Sequence, residues 1–215
     1  LNLLQKNKAL VAQGKIPVTI AGDGHVDLVG SGLKVAGTSI DKEPKLQDVP
    51  EDFRKTVSTK LDDLQKQFAD DKANGVKREV YNLCQISVPG TNLYCDGNKN
   101  IPRDKMPQFK GKPLPNTPAA DMELNKDGEV DTEPMFKKML DGKGIKVTQE
   151  EVPAESLKAT QNELVGQKVL GMEQGLEENP EHPGITAPIY VSKDGYVVDG
   201  HHRWAAITSY NIKHP

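Results

Sequence analysis

The apolar positions of this chain change period from one stretch to the next, and each period predicts a different element. From Pro50, the residues Phe53, Val57, Leu61, Leu64 and Phe68 recur at steps of four, four, three and four. That spacing draws one apolar stripe down a helix, and Gly75 supplies its stop. Earlier, Pro17 to Val35 alternate apolar with small or polar residues around Gly22-Asp23-Gly24, the chemistry of a β-hairpin turn. The Asp23-Gly24-His25 phrase inside it reads as part of that turn.

Between Val88 and Pro118 the periodicity is lost. Pro89, Pro102, Pro107, Pro113, Pro115 and Pro118 crowd a stretch with few large apolar residues, which predicts a linker or a surface-wrapping loop. A short helix is expected from about Glu133 to Leu140, with Pro134 in its first turn, where a missing N–H costs nothing. Lys146-Val147 and Val152 suggest an extended segment. Thr160-Gln161-Asn162-Glu163 then has the form of a capping box opening a helix, with Leu164, Val165, Val169, Met172 and Leu176 on its buried face. A strand at Pro188 to Val191, a turn at Lys193-Asp194-Gly195, a strand at Tyr196 to Val198, a loop, and a helix from Trp204 complete the order.

These elements predict an α+β protein in three parts. Residues 1–80 form a loop-rich extension with the hairpin and the long amphipathic helix, 81–145 a Pro-rich region with the short helix, and 146–215 a small mixed-sheet domain. Composition supports long irregular stretches. Apolar residues make up 35% of the chain, with Gly 19 and Pro 15, against a usual apolar share of roughly 45–50%.

The formal net charge of -3 supplies no overall basic field, so any DNA contact is expected to be local. No run approaches the roughly 20 apolar residues of a membrane span, and residues 1–10 lack a signal-peptide pattern. A non-secreted, cytoplasmic or phage-associated protein is the expectation. The chain opens at Leu1, as a piece of a longer polypeptide would. Cys84 and Cys95 are too far apart for a CxxC site and have no histidine at metal-finger spacing, so two free thiols are expected.

The chemistry concentrates at Asp199-Gly200-His201-His202-Arg203. A strand ending in Asp199-Gly200 and followed by a helix presents unpaired N–H groups and a partial positive charge to an anion. Gly200 lets backbone approach a phosphate, and Arg203 offers a bidentate fork. His201 and His202 are candidates to donate hydrogen bonds and move a proton near neutral pH. Asp199 is a candidate to reach a metal ion or to cap the helix. Trp204 reads as a core residue.

Together, Pro188 to Val191 and Val197-Val198-Asp199-Gly200-His201-His202-Arg203-Trp204-Ala205-Ala206 resemble the signature of the ParB/sulfiredoxin superfamily, with Val152-Pro153 and Leu157-Lys158-Ala159-Thr160-Gln161 similar to its first box. The resemblance covers residues 146–215. It implies a nucleotide phosphate (ATP, ADP or CTP, with Mg2+) held at the loop by Gly200, His201, His202 and Arg203, with Gln161 and Lys158 contributing from the first box. It further implies His201, His202 and Asp199 as catalytic residues and Asp199 as the Mg2+ contact, in a phosphotransferase, NTP hydrolase or nuclease. His201 stands where sulfiredoxins carry their reactive cysteine, which argues against sulfinic-acid repair, and Gln161 stands where the serine kinases carry a catalytic glutamate. A further strand is expected after the loop helix, and Asn211 to Pro215 is too short for it. Either the domain is incomplete or another segment or a protein partner completes it. The alternative function is a non-catalytic binding or structural module of a phage or mobile element.

One further pattern, Glu123-Leu124-Asn125-Lys126-Asp127-Gly128-Glu129-Val130-Asp131, follows EF-hand ligand spacing in part. Pro134 stands where the bidentate glutamate belongs, so a solvated acidic turn is expected.

Overall fold

The computed structural model describes residues 15–21, 51–85, 94–95, 97–116 and 118–214. Its centre is a mixed four-stranded sheet built from β1 (Lys15–Ala21), β4 (Val147–Pro153), β5 (Ile189–Ser192) and β6 (Val197–Asp199), in the order β4-β1-β5-β6. β1 runs antiparallel to β4 over its whole length, from Lys15 opposite Pro153 to Ala21 opposite Val147. On its other side β1 runs parallel to β5, with Val18 opposite Ile189. β5 and β6 form the hairpin expected from the Lys193-Asp194-Gly195 turn.

The sheet therefore crosses the boundary drawn at residue 146. β4 and β5 are not neighbours; a strand from the beginning of the chain lies between them. One of the four strands of this sheet comes from residues 15–21, and no described strand follows the loop helix. The sequence pattern of Pro17 to Val35 located a strand correctly. The hairpin turn at Gly22-Asp23-Gly24, with His25 and the second strand, lies outside the described residues.

Among the described residues, four longer helices and one single-turn helix pack around the sheet or beside it. α1 (Glu51–Ala73) is the predicted amphipathic helix, closed by Gly75 at φ +65. Val57 and Leu61 are fully buried, and Leu64 and Phe68 are partly buried against the same core. Full burial of one such side chain contributes roughly 1.5–3 kcal/mol, so the stripe suffices to dock the helix. α2 (Glu133–Gly142) has Pro134 at its start as expected. α3 spans Gly166–Glu178, and α5 spans His201–Lys213; between them lies a single turn, α4 (Pro183–Thr186). α3 and α5 pack on each other, and α1 lies across both. A two-stranded ribbon of β2 (Lys110–Gly111) and β3 (Val130–Asp131) stands apart.

The described residues form two cores. The larger joins Val57, Leu61, Leu83, Leu164, Leu176 and Trp204. The smaller lies on the opposite side of the sheet, where Phe109, Phe136 and Tyr190 meet with ring centroids 4.6–5.5 Å apart, two of the pairs edge to face. Phe109 and Ile101 belong to the Pro-rich stretch, which thus contributes core residues as well as wrapping the surface.

Two local expectations are corrected. The capping box does not form. Thr160 and Gln161 lie in an irregular segment, and α3 begins at Gly166 with Val165 before it and no side-chain cap. The Thr160 hydroxyl donates instead to Val197 O, and Glu163 pairs with Arg103 Nη1 at 3.4 Å. Tertiary partners outbid the local motif. Second, Cys84 and Cys95 are not free thiols but are joined as a disulfide, their Cα atoms 5.2 Å apart. Spacing alone missed it because the pairing depends on the buried anchors Leu83 and Tyr94 beside the two cysteines.

Candidate functional site

β6 ends at Asp199, and Gly200 turns the chain into α5 with φ +97. A Cβ on Gly200 would lie 2.3 Å from Ile189 Cγ2 and 3.1 Å from Arg203 Nη2. Only glycine fits the left-handed backbone and the close approach at this turn. α5 has no side-chain cap, so Asp199 does not serve as one. Its carboxylate accepts a hydrogen bond from the Phe109 backbone N–H and faces Arg203 Nη2 at 3.7 Å. Burial pushes the Asp199 pKa up, with Arg203 opposing.

The two histidines point into the protein. His201 is 4% exposed, and its Nε2 accepts hydrogen bonds from the backbone N–H of Thr160 at 3.0 Å and of Gln161 at 3.4 Å. His202 Nε2 accepts from the Val165 N–H at 3.2 Å. An accepting Nε2 places the ring proton on Nδ1. Burial lowers both histidine pKa values to about 3, with Lys168 and Arg103 adding to the effect at His202. Both rings are therefore neutral at pH 7. Through these bonds His201 ties the loop to the first box, and His202 ties it to the start of α3.

Arg203 lies between these extremes. Its side chain is 18% exposed, and Nη1 donates to Ala187 O at 2.9 Å. It lines an open cleft of about 1270 Å³ together with Asp199, Gly200, His202, Lys168 and Arg103. Lys168, in the first turn of α3, lines the cleft; its backbone N–H donates to Val165 O at 3.0 Å, and among the described residues its side chain makes no hydrogen bond or ion pair. Desolvation and then the neighbouring charge of Arg103 lower its pKa, Arg203 adding and Asp199 opposing. Arg103 reaches in from the Pro-rich stretch.

The first-box candidates separate. Gln161 is 4% exposed, lies against His201, and donates from Nε2 to Glu163 O at 2.6 Å. Lys158 is exposed on another surface, its ammonium 6.0 Å from the centre of the Tyr196 ring and away from the cleft lining. The structure brings Gln161 to the loop and leaves Lys158 out. Sequence reasoning missed Lys168 and Arg103. Lys168 follows the buried Leu164 by four residues, a spacing that places it near the same end of the helix, but the misplaced helix start hid it. Arg103 carries no local signal, because only the long-range pairing of Ile101 with Thr160 and Asn162 brings it in.

No group of three or more His, Cys, Asp or Glu residues among those described is arranged to hold a metal ion. Asp199 already has Arg203 and the Phe109 N–H as partners, so the residues present do not form a protein-held Mg2+ site. At the acidic turn of 123–131, Asn125 Oδ1 accepts from the N–H groups of Asp127 and Glu129, and Gly128 takes φ +72; it is a hydrogen-bonded turn. No described helix is long and apolar enough to cross a membrane. Comparison of the chain with protein-family models, with curated proteins and with solved structures gives no match.

Proposed function

We propose that this protein binds a nucleotide through its phosphates at the N-terminus of α5, in the manner of the ParB/sulfiredoxin superfamily that residues 188–206 resemble. The observation that carries the reading is the convergence of Arg203, Lys168 and Arg103 on one cleft beside an uncapped helix start. Amide N–H groups at a helix start and fixed guanidinium forks are the two elements a phosphate requires. Neutral histidines suit this role, since they hold the backbone in place without competing for the anion.

The reaction class in keeping with such a site is phosphoryl transfer or hydrolysis, where positioning and charge neutralisation do most of the catalytic work. Arg203 would neutralise charge on the phosphate. Asp199, whose pKa is raised, is the one carboxylate of the loop able to take a proton from an acceptor hydroxyl or water. A magnesium ion would be held chiefly by the phosphate oxygens. A nucleic-acid phosphate reaching the same cleft through a local contact would make the protein a nuclease.

A second reading, a binding module without catalysis, is favoured by one specific observation: both histidines are committed to backbone hydrogen bonds. Thermal unfolding with ATP, ADP, CTP and GTP in turn, each with magnesium, tests the shared claim. A ligand at about 100 times Kd stabilises by roughly 2.7 kcal/mol, and Arg203→Ala is expected to remove most of that gain. Turnover of the stabilising nucleotide then separates the enzyme from the module. If none of the four nucleotides shifts the transition at millimolar concentration, the phosphate reading is wrong.

A further inference from the structure

Residues 160–166, the segment bonded to both loop histidines, are themselves held by two straps from elsewhere in the chain. In the first strap, Asn82 Nδ2 donates to Asn162 O at 3.0 Å, and Asn82 Oδ1 accepts the Leu164 N–H at 2.9 Å. Beside it, Leu83 N–H donates to Leu164 O at 2.8 Å, and Gly166 N–H donates to Tyr81 O at 2.7 Å. In the second strap, Ile101 N–H donates to Thr160 O at 3.2 Å and Ile101 O accepts the Asn162 N–H at 2.9 Å, while Asn98 Nδ2 donates to Gln161 O at 3.4 Å. The Cys84–Cys95 disulfide joins the two straps. Asn82 serves both the segment and the bridge, because its Oδ1 also accepts the Cys84 N–H at 3.0 Å.

From that segment the path to the loop is short. The N–H groups of Thr160 and Gln161 donate to His201, and that of Val165 donates to His202. The bridge therefore reaches the start of α5 through the straps, the segment and the two imidazoles. Its neighbours are anchored independently of it: Leu83 and Tyr94 are buried in the larger core, and the Tyr94 hydroxyl lies 2.7 Å from Ser209 Oγ of α5. Opening the bridge would slacken the straps without pulling these anchors out. Both cysteines are only half-buried, within reach of a small thiol. Slack in a binding loop must be removed again when a ligand binds, and that ordering lowers affinity.

We propose that the Cys84–Cys95 bridge is a redox-sensitive clasp on the loop at the start of α5. Closed, it holds residues 160–166, and through them His201 and His202, in the arrangement that binds phosphate; open, it leaves the chain folded and the loop slack. The clasp acts on the site described under the phosphate reading and rests on that reading. The reductant is a dithiol. One of its thiolates attacks a sulfur of the bridge, forming a mixed disulfide and releasing the other cysteine as a thiolate that takes up a proton. The second thiol of the reductant then closes its own disulfide and releases the remaining cysteine. Two electrons and two protons pass to Cys84 and Cys95, and the dithiol is oxidised.

The test is calorimetric titration of the whole chain with inorganic pyrophosphate, which probes the phosphate site whatever the base, before and after reduction with dithiothreitol. The reduced chain should keep its far-ultraviolet circular dichroism and bind about tenfold more weakly, inside the roughly five- to 150-fold range of ordinary coupling between sites. Coupling is reciprocal, so saturating pyrophosphate should raise by about the same factor the ratio of reduced to oxidised dithiol needed to open half of the bridges. The chain carrying Cys84→Ser and Cys95→Ser should bind as the reduced chain does and ignore the reductant. Asn82→Ala, which cuts the first strap from the segment but leaves both cysteines, should weaken binding in the oxidised chain and shrink the difference between the two redox states.

Three results overturn the inference, each differently. If the oxidised and reduced chains bind pyrophosphate with the same affinity, and both need Arg203, the loop site stands and the clasp falls. If reduction abolishes binding together with the circular dichroism signal, the bridge is a staple of the whole fold and not a control on the loop. Absence of pyrophosphate binding by the oxidised chain removes both the clasp and the phosphate reading beneath it.

Discussion

The two ends of helix α5 treat charge in opposite ways. At the C-terminal end, Lys213 has a side chain only 8% exposed and is surrounded by partners: Asp62 Oδ1 at 2.8 Å, Gln65 Oε1 at 3.1 Å, and the fully buried carboxylate of Glu173 at 3.0 Å. These contacts clasp α1, α3 and α5 together. At the N-terminal end, Arg203, Lys168 and Arg103 share two carboxylates at 3.4 Å or more, and an open cleft lies in front of them. Charges that a fold uses for its own cohesion are paired and covered; charges left under-paired in a concave place are available to a ligand. The same helix thus ends in a structural cluster and begins in the one proposed to bind phosphate.

The comparison can be broken most severely at the clasp. Removing Lys213 leaves Glu173 without its counter-charge, and breaking a buried pair costs roughly 3–5 kcal/mol. Lys213→Ala should therefore lower stability by about that amount at pH 8, measured by denaturant unfolding. A loss below about 1 kcal/mol would show that the clasp is no more structural than the cleft.

The pH dependence of the same cluster gives the next effect. Burial raises the Glu173 pKa from 4.5 to about 7, against the opposing pull of Lys213. A carboxyl whose pKa is higher folded than unfolded binds its proton more tightly in the native state. Its contribution favours folding below the unfolded value and weakens as pH rises from 4.5 to about 7. The change amounts to at most about 3 kcal/mol at 1.36 kcal/mol per pH unit. Glu173→Gln should flatten stability across that window, as read from unfolding at pH 5 and pH 7.5. An unaltered pH profile in this variant would place the titration elsewhere.

The disulfide ranks close behind. Cys84 and Cys95 are 11 residues apart, and closing a loop of that order contributes roughly 3 kcal/mol or somewhat less. The two straps it joins also support the site: Leu83 N–H donates to Leu164 O, and Ile101 N–H donates to Thr160 O, on either side of the segment that the histidines hold. Replacing both cysteines by serine should lower stability by about 2–3 kcal/mol, with the same loss on adding reductant to the wild type. No response to reductant would mean that the bridge is not maintained. A lasting bridge suits an oxidising compartment better than the cytoplasm.

At the binding end the effects on stability should be small. Lys168→Ala removes no side-chain hydrogen bond or ion pair among the described residues, so the expected change is within about 0.5 kcal/mol. If this variant proves clearly destabilised, Lys168 is part of the structure and the contrast between the two ends loses its basis.

Much of the fold was legible in the sequence where the pattern is local. The stripe of Val57, Leu61, Leu64 and Phe68, the placement of Pro134 at the start of α2, the hairpin around Gly195, and the buried Trp204, whose Nε1 donates to Ala154 O at 2.7 Å, all follow from spacing and residue type. What escaped is long-range. No local signal shows that residues 15–21 enter the sheet between β4 and β5, that Thr160 forgoes a helix cap for Val197, or that Arg103 crosses to the cleft. The loop was found because its residues are contiguous. The side-chain hydrogen bonds of its histidines reach 37 to 41 residues back along the chain, beyond any local pattern, as the Thr160–His201 bond shows with a separation of 41.

Backbone amide shifts of isotopically labelled protein during titration with ADP report on both ends of α5 in one experiment. Saturable shifts are expected at Gly200 to Arg203 and around Lys168, with Tyr210 to Lys213 nearly still. Shifts that are absent from the loop, or that appear chiefly at the Lys213 end, would contradict this expectation.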